Sequence, residues 1–201
     1  MAELSRSLNK EPQVISLDPT YLADVLDDIR MVGRATGTEE RAQTVTSDMQ
    51  ARMDTVVAKT SQAKARPRVL QLEWADPLMC GGHWVVEMVE LAGGDNCFGN
   101  KDHGSSRLEW ADVVASQPEI IILMPCGFAL ERSVEDLPLL TQREGWASLP
   151  AVRNNQVYVI DAAAYTSRLG PRLITGLEIM AEVIHPELFS AMIPEGALHR
   201  A

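Results

Sequence analysis

The side chains in this chain best suited to hold a soft metal or move a proton are three cysteines and four histidines. Cys80-Gly-Gly-His83 sets a thiol and an imidazole three positions apart, with Cys97, His103 and Cys126 as distant companions. A structural zinc site draws four ligands from tightly spaced pairs. No second pair follows the first, so no protein-held metal is expected. An odd number of cysteines without a CxxC spacing also argues against a disulfide framework and leaves at least one thiol free. Nucleophilic catalysis would need a base beside a nucleophile. His103, Ser105, Ser106 and Asp112 share one polar region, yet the chain lacks GxSxG, the phosphate-binding P-loop and GxGxxG. No enzyme is expected.

Trp74, Trp84, Trp110 and Trp146 are much of an aromatic content of only 5%. The plain reading of each is core packing, because a tryptophan buries a large apolar area. Trp74 and Trp84, however, fall just after a strand pattern and at a helix entrance, where ligands of open α/β sheets bind. Gly170-Pro171-Arg172 reads as a turn and helix start. Its free N–H groups could hold an anion but more often face solvent.

The elements that would position these groups follow from periodicity and punctuation. Pro12–Leu17 is a short β-like run, and Asp18-Pro19 reads as a capping residue with proline in the first turn of a helix over about 19–30. After Gly33 and Gly37, Thr38-Glu-Glu-Arg41 resembles a capping box that opens a segment free of Gly and Pro up to Ser61. Those 24 residues would span about 36 Å at 1.5 Å per residue. Ala42, Val45, Met49, Met53, Val56 and Val57 give it one narrow apolar stripe, the pattern of a strut rather than a core helix. Beyond the basic linker Gln62–Pro67, the spacing predicts a strand over 68–74, a Gly81-Gly82 loop, a helix over 84–91, a loop over 95–107 and a helix over 108–116. A buried parallel strand over 119–124, a helix over 129–140, a strand over 157–160 and a helix over 172–184 complete it. From about residue 66 this order predicts an α/β sandwich with a largely parallel sheet.

At 201 residues and 22.1 kDa the chain is one large domain or one and a half small ones. A formal net charge of -10 and an isoelectric point near 4.8 argue against a surface made for nucleic-acid phosphates or anionic lipid. The longest apolar run, Ile120–Pro125, is far too short to span a bilayer. Met1–Lys10 lacks the unbroken apolar core of a secretory signal, which as written predicts a cytoplasmic location.

Several stretches taken together carry a resemblance. Val69–Leu78, Gly82-His-Trp84, Glu87–Gly94, Gln117–Ile122, Pro125-Cys-Gly-Phe128, Leu149–Arg153, Val157-Tyr-Val159 and Gly170-Pro-Arg172 are similar, in order, to the C-terminal lobe of the helical-backbone periplasmic binding proteins. Within that family the cobalamin-binding branch is the nearest in pattern. These are substrate-binding components of ABC importers, in which one long helix joins two α/β lobes and the ligand sits between them. The resemblance implies a three-layer α/β sandwich lobe over 66–201 with a mostly parallel sheet. It further implies a long backbone helix within 34–65 and a remnant of the first lobe over 1–33.

Function follows as an expectation of the same kind: non-enzymatic binding of a corrinoid, or of haem or a ferric siderophore, with no intrinsic cofactor. A corrin is a broad apolar face with polar groups at its rim, so aromatic walls with a few donors suit it. Trp74, Asp76, Leu78, His83, Trp84, Cys126, Gly127, Phe128, Tyr165 and Arg168 are the ligand-binding candidates. Each falls at the carboxyl end of a predicted strand or just beyond. As cleft residues, Trp84 and Tyr165 would take their contacts from ligand rather than core. His83 could serve as axial ligand to a chelated metal or simply bond at the helix entry.

The family usually places such proteins in the periplasm or on a lipid anchor. Its carboxylate for permease docking falls near Ala111, beside Glu109 and Asp112, and is thus displaced or absent. The competing expectation is a lobe that has lost its ligand and serves as an interaction module. On either reading a half-cleft would expose apolar surface, and a homodimer is expected to cover it.

Overall fold

The computed structural model describes residues 13–201. Readings that fall on Met1–Pro12 lie outside them. In chain order the helices are α1 (Leu22–Thr36), α2 (Glu39–Thr60), α3 (Trp84–Leu91), α4 (Trp110–Ser116), α5 (Leu130–Val134), α6 (Leu137–Thr141), α7 (Pro150–Arg153), α8 (Ala162–Tyr165) and α9 (Arg172–Ile184). A 3-10 turn, Trp146–Ser148, lies between α6 and α7. The strands are β1 (Arg68–Leu72), β2 (Trp74–Ala75), β3 (Leu78–Cys80), β4 (Asp95–Asn96), β5 (Ser106–Arg107), β6 (Ile120–Leu123), β7 (Val157–Ile160) and β8 (Leu198–Arg200).

The main sheet runs β4-β1-β6-β7-β8, with every pairing parallel except that of β8, which lies antiparallel to β7. Val69 stands opposite Ile120 and Ile121 opposite Val157. Because successive side chains leave opposite faces of a strand, the two faces fill separately. Val69, Ile120, Ile122, Tyr158 and Ile160 join Leu22, Met49, Met88 and Leu177 under α1, α2, α3 and α9. Leu70, Leu72, Ile121, Leu123, Val157 and Val159 join Val113, Leu140, Trp146 and Leu149 on the other side. The result is the expected three-layer sandwich with a mostly parallel sheet.

Where the chain departs from its periodicity, local chemistry gives the reason. No strand forms over residues 13–17, and α1 starts at Leu22 rather than Pro19. The capping carboxylate is Asp24, not Asp18: its Oδ2 accepts from the N–H groups of Thr20 and Tyr21 at 3.0 and 2.9 Å. Helix α1 continues through Gly33, so a boundary at residue 33 falls inside it. Gly33 is not a breaker there. A Cβ on it would sit 2.5 Å from the Ala42 Cβ, so glycine is what lets α1 and α2 meet. The turn comes at Gly37, with φ of 67°. Thr38 precedes α2 without capping it; its hydroxyl meets that of Thr36 instead. The stretch 129–140 folds as two short helices, and 95–107 contains β4 and β5. The expected strand over 68–74 breaks at Glu73, beyond which β2, β3 and β5 form a small antiparallel sheet.

Polar contacts fasten the carboxyl half of α2 and the linker beyond it. Arg52 donates to both carboxylate oxygens of buried Glu178 on α9, at 2.9 and 2.6 Å. Thr60 Oγ1 donates to Leu91 O at 2.9 Å, and Arg66 Nη2 donates to Glu90 O and Gly94 O at 2.9 and 2.8 Å. At its amino end α1 is held in turn by Glu87 of α3, which accepts from Leu22 N at 2.7 Å.

Candidate functional site

The carboxyl ends of β1, β6 and β7 lie side by side in the parallel sheet and deliver three loops to one edge. Loop one continues from β1 into Glu73 and Trp74. Loop two is a tight turn, Pro125-Cys126-Gly127-Phe128, closed by Phe128 N donating to Pro125 O at 2.9 Å. Its third residue has φ of 77°, which glycine adopts without strain, and this is the backbone reason for Gly127. Loop three is α8 and its exit. Asp161 caps that helix by accepting from Ala164 N at 2.9 Å.

The loops are tied to one another. Cys126 N donates to Glu73 O at 3.3 Å, and Ala163 N donates to Phe128 O at 2.9 Å. Gly127 N donates to Ser167 Oγ at 2.9 Å. Trp74 and Phe128 meet edge to face with ring centroids 5.3 Å apart, and the Arg132 guanidinium lies over the Phe128 ring at 4.5 Å.

A fourth segment, Gly81–Trp84, is pinned from below. Buried Gln71 accepts from Gly81 N at 2.7 Å and donates to Gly81 O at 3.0 Å and Phe98 O at 3.3 Å. His83 N donates to His103 O at 3.0 Å. The His83 backbone has φ of 49° and ψ of -136°, a conformation non-glycine residues seldom adopt. Its ring sits 5.9 Å from that of Trp84. Ser105 donates its hydroxyl to Glu73, which joins the 103–106 loop to the β1 exit.

The edge therefore brings together Trp74, His83, Trp84, Cys126, Gly127, Phe128 and Tyr165, with exposed Arg168 just past Ser167. Two candidates sit apart. Leu78 is buried in the core beside Leu140 and Trp146, so its side chain packs the lobe instead of lining a cleft. Asp76 is exposed at the tip of the β2–β3 hairpin, whose Ala75 carbonyl accepts from Arg143. Trp84 and Tyr165 are half-buried against the core of the α9 face, and Trp84 Nε1 donates to Thr166 O at 2.8 Å. Both take contacts from the lobe, against the expectation that ligand alone would supply them.

Gln71, Glu73 and Ser167 are positioning residues that spacing did not single out. Only Gln71 left a trace in the sequence, as the lone polar side chain inside an apolar strand.

Among the described residues there is no cluster of three or more His, Cys, Asp or Glu side chains able to hold a metal. The thiols differ in their surroundings. Burial pushes Cys97 up to about 11, while Cys126 is exposed at the edge and Cys80 is buried against Ser106. Only a thiolate attacks readily. Maleimide at neutral pH should therefore modify Cys126 in the folded protein and spare Cys97 and Cys80, as read by peptide mass mapping. Modification of Cys97 at a similar rate would contradict its packing.

A parallel sheet covered on both faces, with loops presenting aromatic side chains at its carboxyl edge and a long helix fastened to its flank, makes a single α/β lobe. The chain belongs to the family described as periplasmic binding protein, whose model matches residues 2–164. It is 27% identical over 174 residues to the ABC transporter substrate-binding lipoprotein YvrC of Bacillus subtilis, covering 86% of this chain and 53% of that one. It is 25% identical over 160 residues to the vitamin B12-binding protein of Vibrio cholerae, covering 78% of this chain and 54% of that one. The fold is shared with the periplasmic heme-binding protein RhuT from Roseiflexus sp. RS-1 at a TM-score of 0.74 and 22% identity, covering 94% of this chain and 72% of that one. The chain spans about half the length of the curated relatives it matches.

Proposed function

We propose that the chain forms one wall of a binding site for a flat metal chelate, a corrinoid first and haem or a ferric siderophore second, and delivers it to an ABC importer without transforming it. The observation that carries this reading is the convergence of Trp74, Phe128, Trp84 and Tyr165, all partly exposed, on the carboxyl edge of the sheet. Such a surface offers apolar area to a macrocycle, and His83, Arg168 and the rim carbonyls offer polar contacts to its periphery. The vitamin B12-binding and heme-binding names of the relatives favour the same ligand class. No intrinsic cofactor enters this reading.

Glu109 and Asp112, both exposed at the start of α4, are the carboxylates we assign to a permease contact, on either side of Ala111. The comparisons lend no support to the cytoplasmic expectation. The lipoprotein relative favours work outside the inner membrane, and no helix among the described residues is long and apolar enough to cross it.

Titration of the protein with cyanocobalamin, hemin and a ferric hydroxamate separates this reading from that of a ligand-free module. One of the three is expected to quench tryptophan fluorescence and raise the melting temperature. Ligand at 100 times its dissociation constant adds about 2.7 kcal/mol of stability. No change with any of them at tens of micromolar would defeat the reading. Because Trp74, Phe128, Trp84 and Tyr165 leave part of their apolar surface exposed on one edge, we also assign the chain a homodimer that pairs two such edges. Light scattering at micromolar concentration should then give twice the chain mass, and a value near 22.1 kDa would exclude it.

A further inference from the structure

We propose that the groove between α1 and the turn that follows α8 is a binding site for a small organic ammonium ion with a compact apolar body. The groove encloses about 270 Å³ and is walled by Leu17, Val25, Ile29, Val32, Leu169 and Pro171, with Asp28 set among them. That volume lies at the small end of ligand pockets. It suits a single ring or a short alkyl chain.

Asp28 decides the charge of the occupant. Asp28 as a whole is half-buried; its Oδ2 is shielded from solvent and has no hydrogen-bond partner among the described residues. Among the described residues no Lys or Arg pairs with it; the nearby Arg30 is taken by Asp27 at 2.7 Å. A buried carboxylate oxygen left unpaired is costly, and the cost is removed by a donor carrying positive charge. An anionic ligand would be repelled by Asp28 and by the charges of Asp18, Asp24 and Asp27 near it. Burial first, and then those same three neighbours, hold the Asp28 carboxyl above its ordinary range, which marks a place short of a cation. The walls supply the other half of the specificity. Leu17, Val32 and Leu169 are each more than 40% exposed, and an apolar body resting on them would cover surface that water now touches. A bare metal ion would gain nothing from those walls and would find a single carboxylate.

The groove adjoins the third loop of the aromatic edge, since Leu169 follows Arg168 in the chain, but its walls and Asp28 are not among the edge side chains, and its test is run with no chelate present. The probes are benzylammonium, benzyl alcohol as its neutral counterpart, and benzoate, compared at equal ionic strength near 150 mM and neutral pH. Methyl chemical-shift titration is the readout. Benzylammonium should move the Leu17, Val32 and Leu169 methyl signals saturably, and benzyl alcohol should bind about tenfold or more weakly, as loss of a charge-assisted hydrogen bond dictates. Benzoate should not bind. Asp28→Asn should weaken benzylammonium by a similar factor while leaving benzyl alcohol unchanged, and Leu169→Ala should weaken both.

Equal affinity for the amine and the alcohol would overturn the proposal, as would retention of amine affinity in Asp28→Asn. An absence of methyl shifts, including the case in which a second copy of the chain already covers the groove, would overturn it too.

Discussion

Replacing Gly176 with alanine should lower the unfolding free energy by about 3 kcal/mol, although the same change in an open helix stabilises by about 1 kcal/mol. A Cβ at residue 176 would lie 2.1 Å from the Tyr165 carbonyl oxygen and 3.0 Å from Met88 Cε. Neither neighbour is free to yield. Tyr165 O belongs to the backbone that leaves α8, and Met88 is fully buried between α3 and α9. The steric term therefore outweighs the gain in helix propensity. Urea denaturation reads the result directly: an unchanged or raised midpoint in Gly176→Ala would mean that α9 and the α8 turn do not approach as described. Because the displaced backbone leads to Thr166 and Ser167, the variant should also loosen the edge and weaken any chelate binding.

Trp84→Ala should cost about 2–3 kcal/mol, somewhat below the usual range for emptying a fully buried aromatic site because the side chain is half-exposed. Part of that loss is the bond from Nε1 to Thr166 O, which leaves a carbonyl to be satisfied by water. Trp74→Ala makes the useful contrast. Trp74 is also half-exposed, but its ring contact is Phe128, on the edge itself. Its substitution should reduce chelate affinity with the smaller loss of stability. A melting temperature unmoved by Trp84→Ala would return that residue to a purely ligand-facing role.

How much of this was legible in the residues varies by element. The strut α2 was readable because 22 residues without Gly or Pro carry a single stripe, and the stripe is what the lobe buries. Strands β6 and β7 were readable because both faces are covered and their apolar runs are unbroken. Strands β2, β3 and β5 were not, since two or three residues cannot display a period. Neither was β8, where Leu198-His199-Arg200 pairs antiparallel at the sheet margin and leaves two residues in water.

Leu78 shows the limit at the site. Its position after a strand end marked it for the edge, but side-chain direction is set by the β2–β3 pairing, and that pairing aims it into the core. The ties made by Gln71 and Ser167 join segments 10 and 40 residues apart, a kind of contact that only the folded chain creates.

The fastening of α2 has a mechanical consequence. Arg52 and Thr60 anchor its carboxyl half, Arg66 fixes the linker just beyond it, and Glu87 holds the start of α1. To swing this strut about the sheet, several charge-assisted and backbone bonds would have to break together, at a cost far above thermal energy. The carboxyl half of α2 and the sandwich thus move as one piece. Of the roughly 33 Å spanned by the 22 residues of α2, the carboxyl half is clamped to the sandwich by polar bonds, whereas the half toward the Gly37 turn is held by packing against α1.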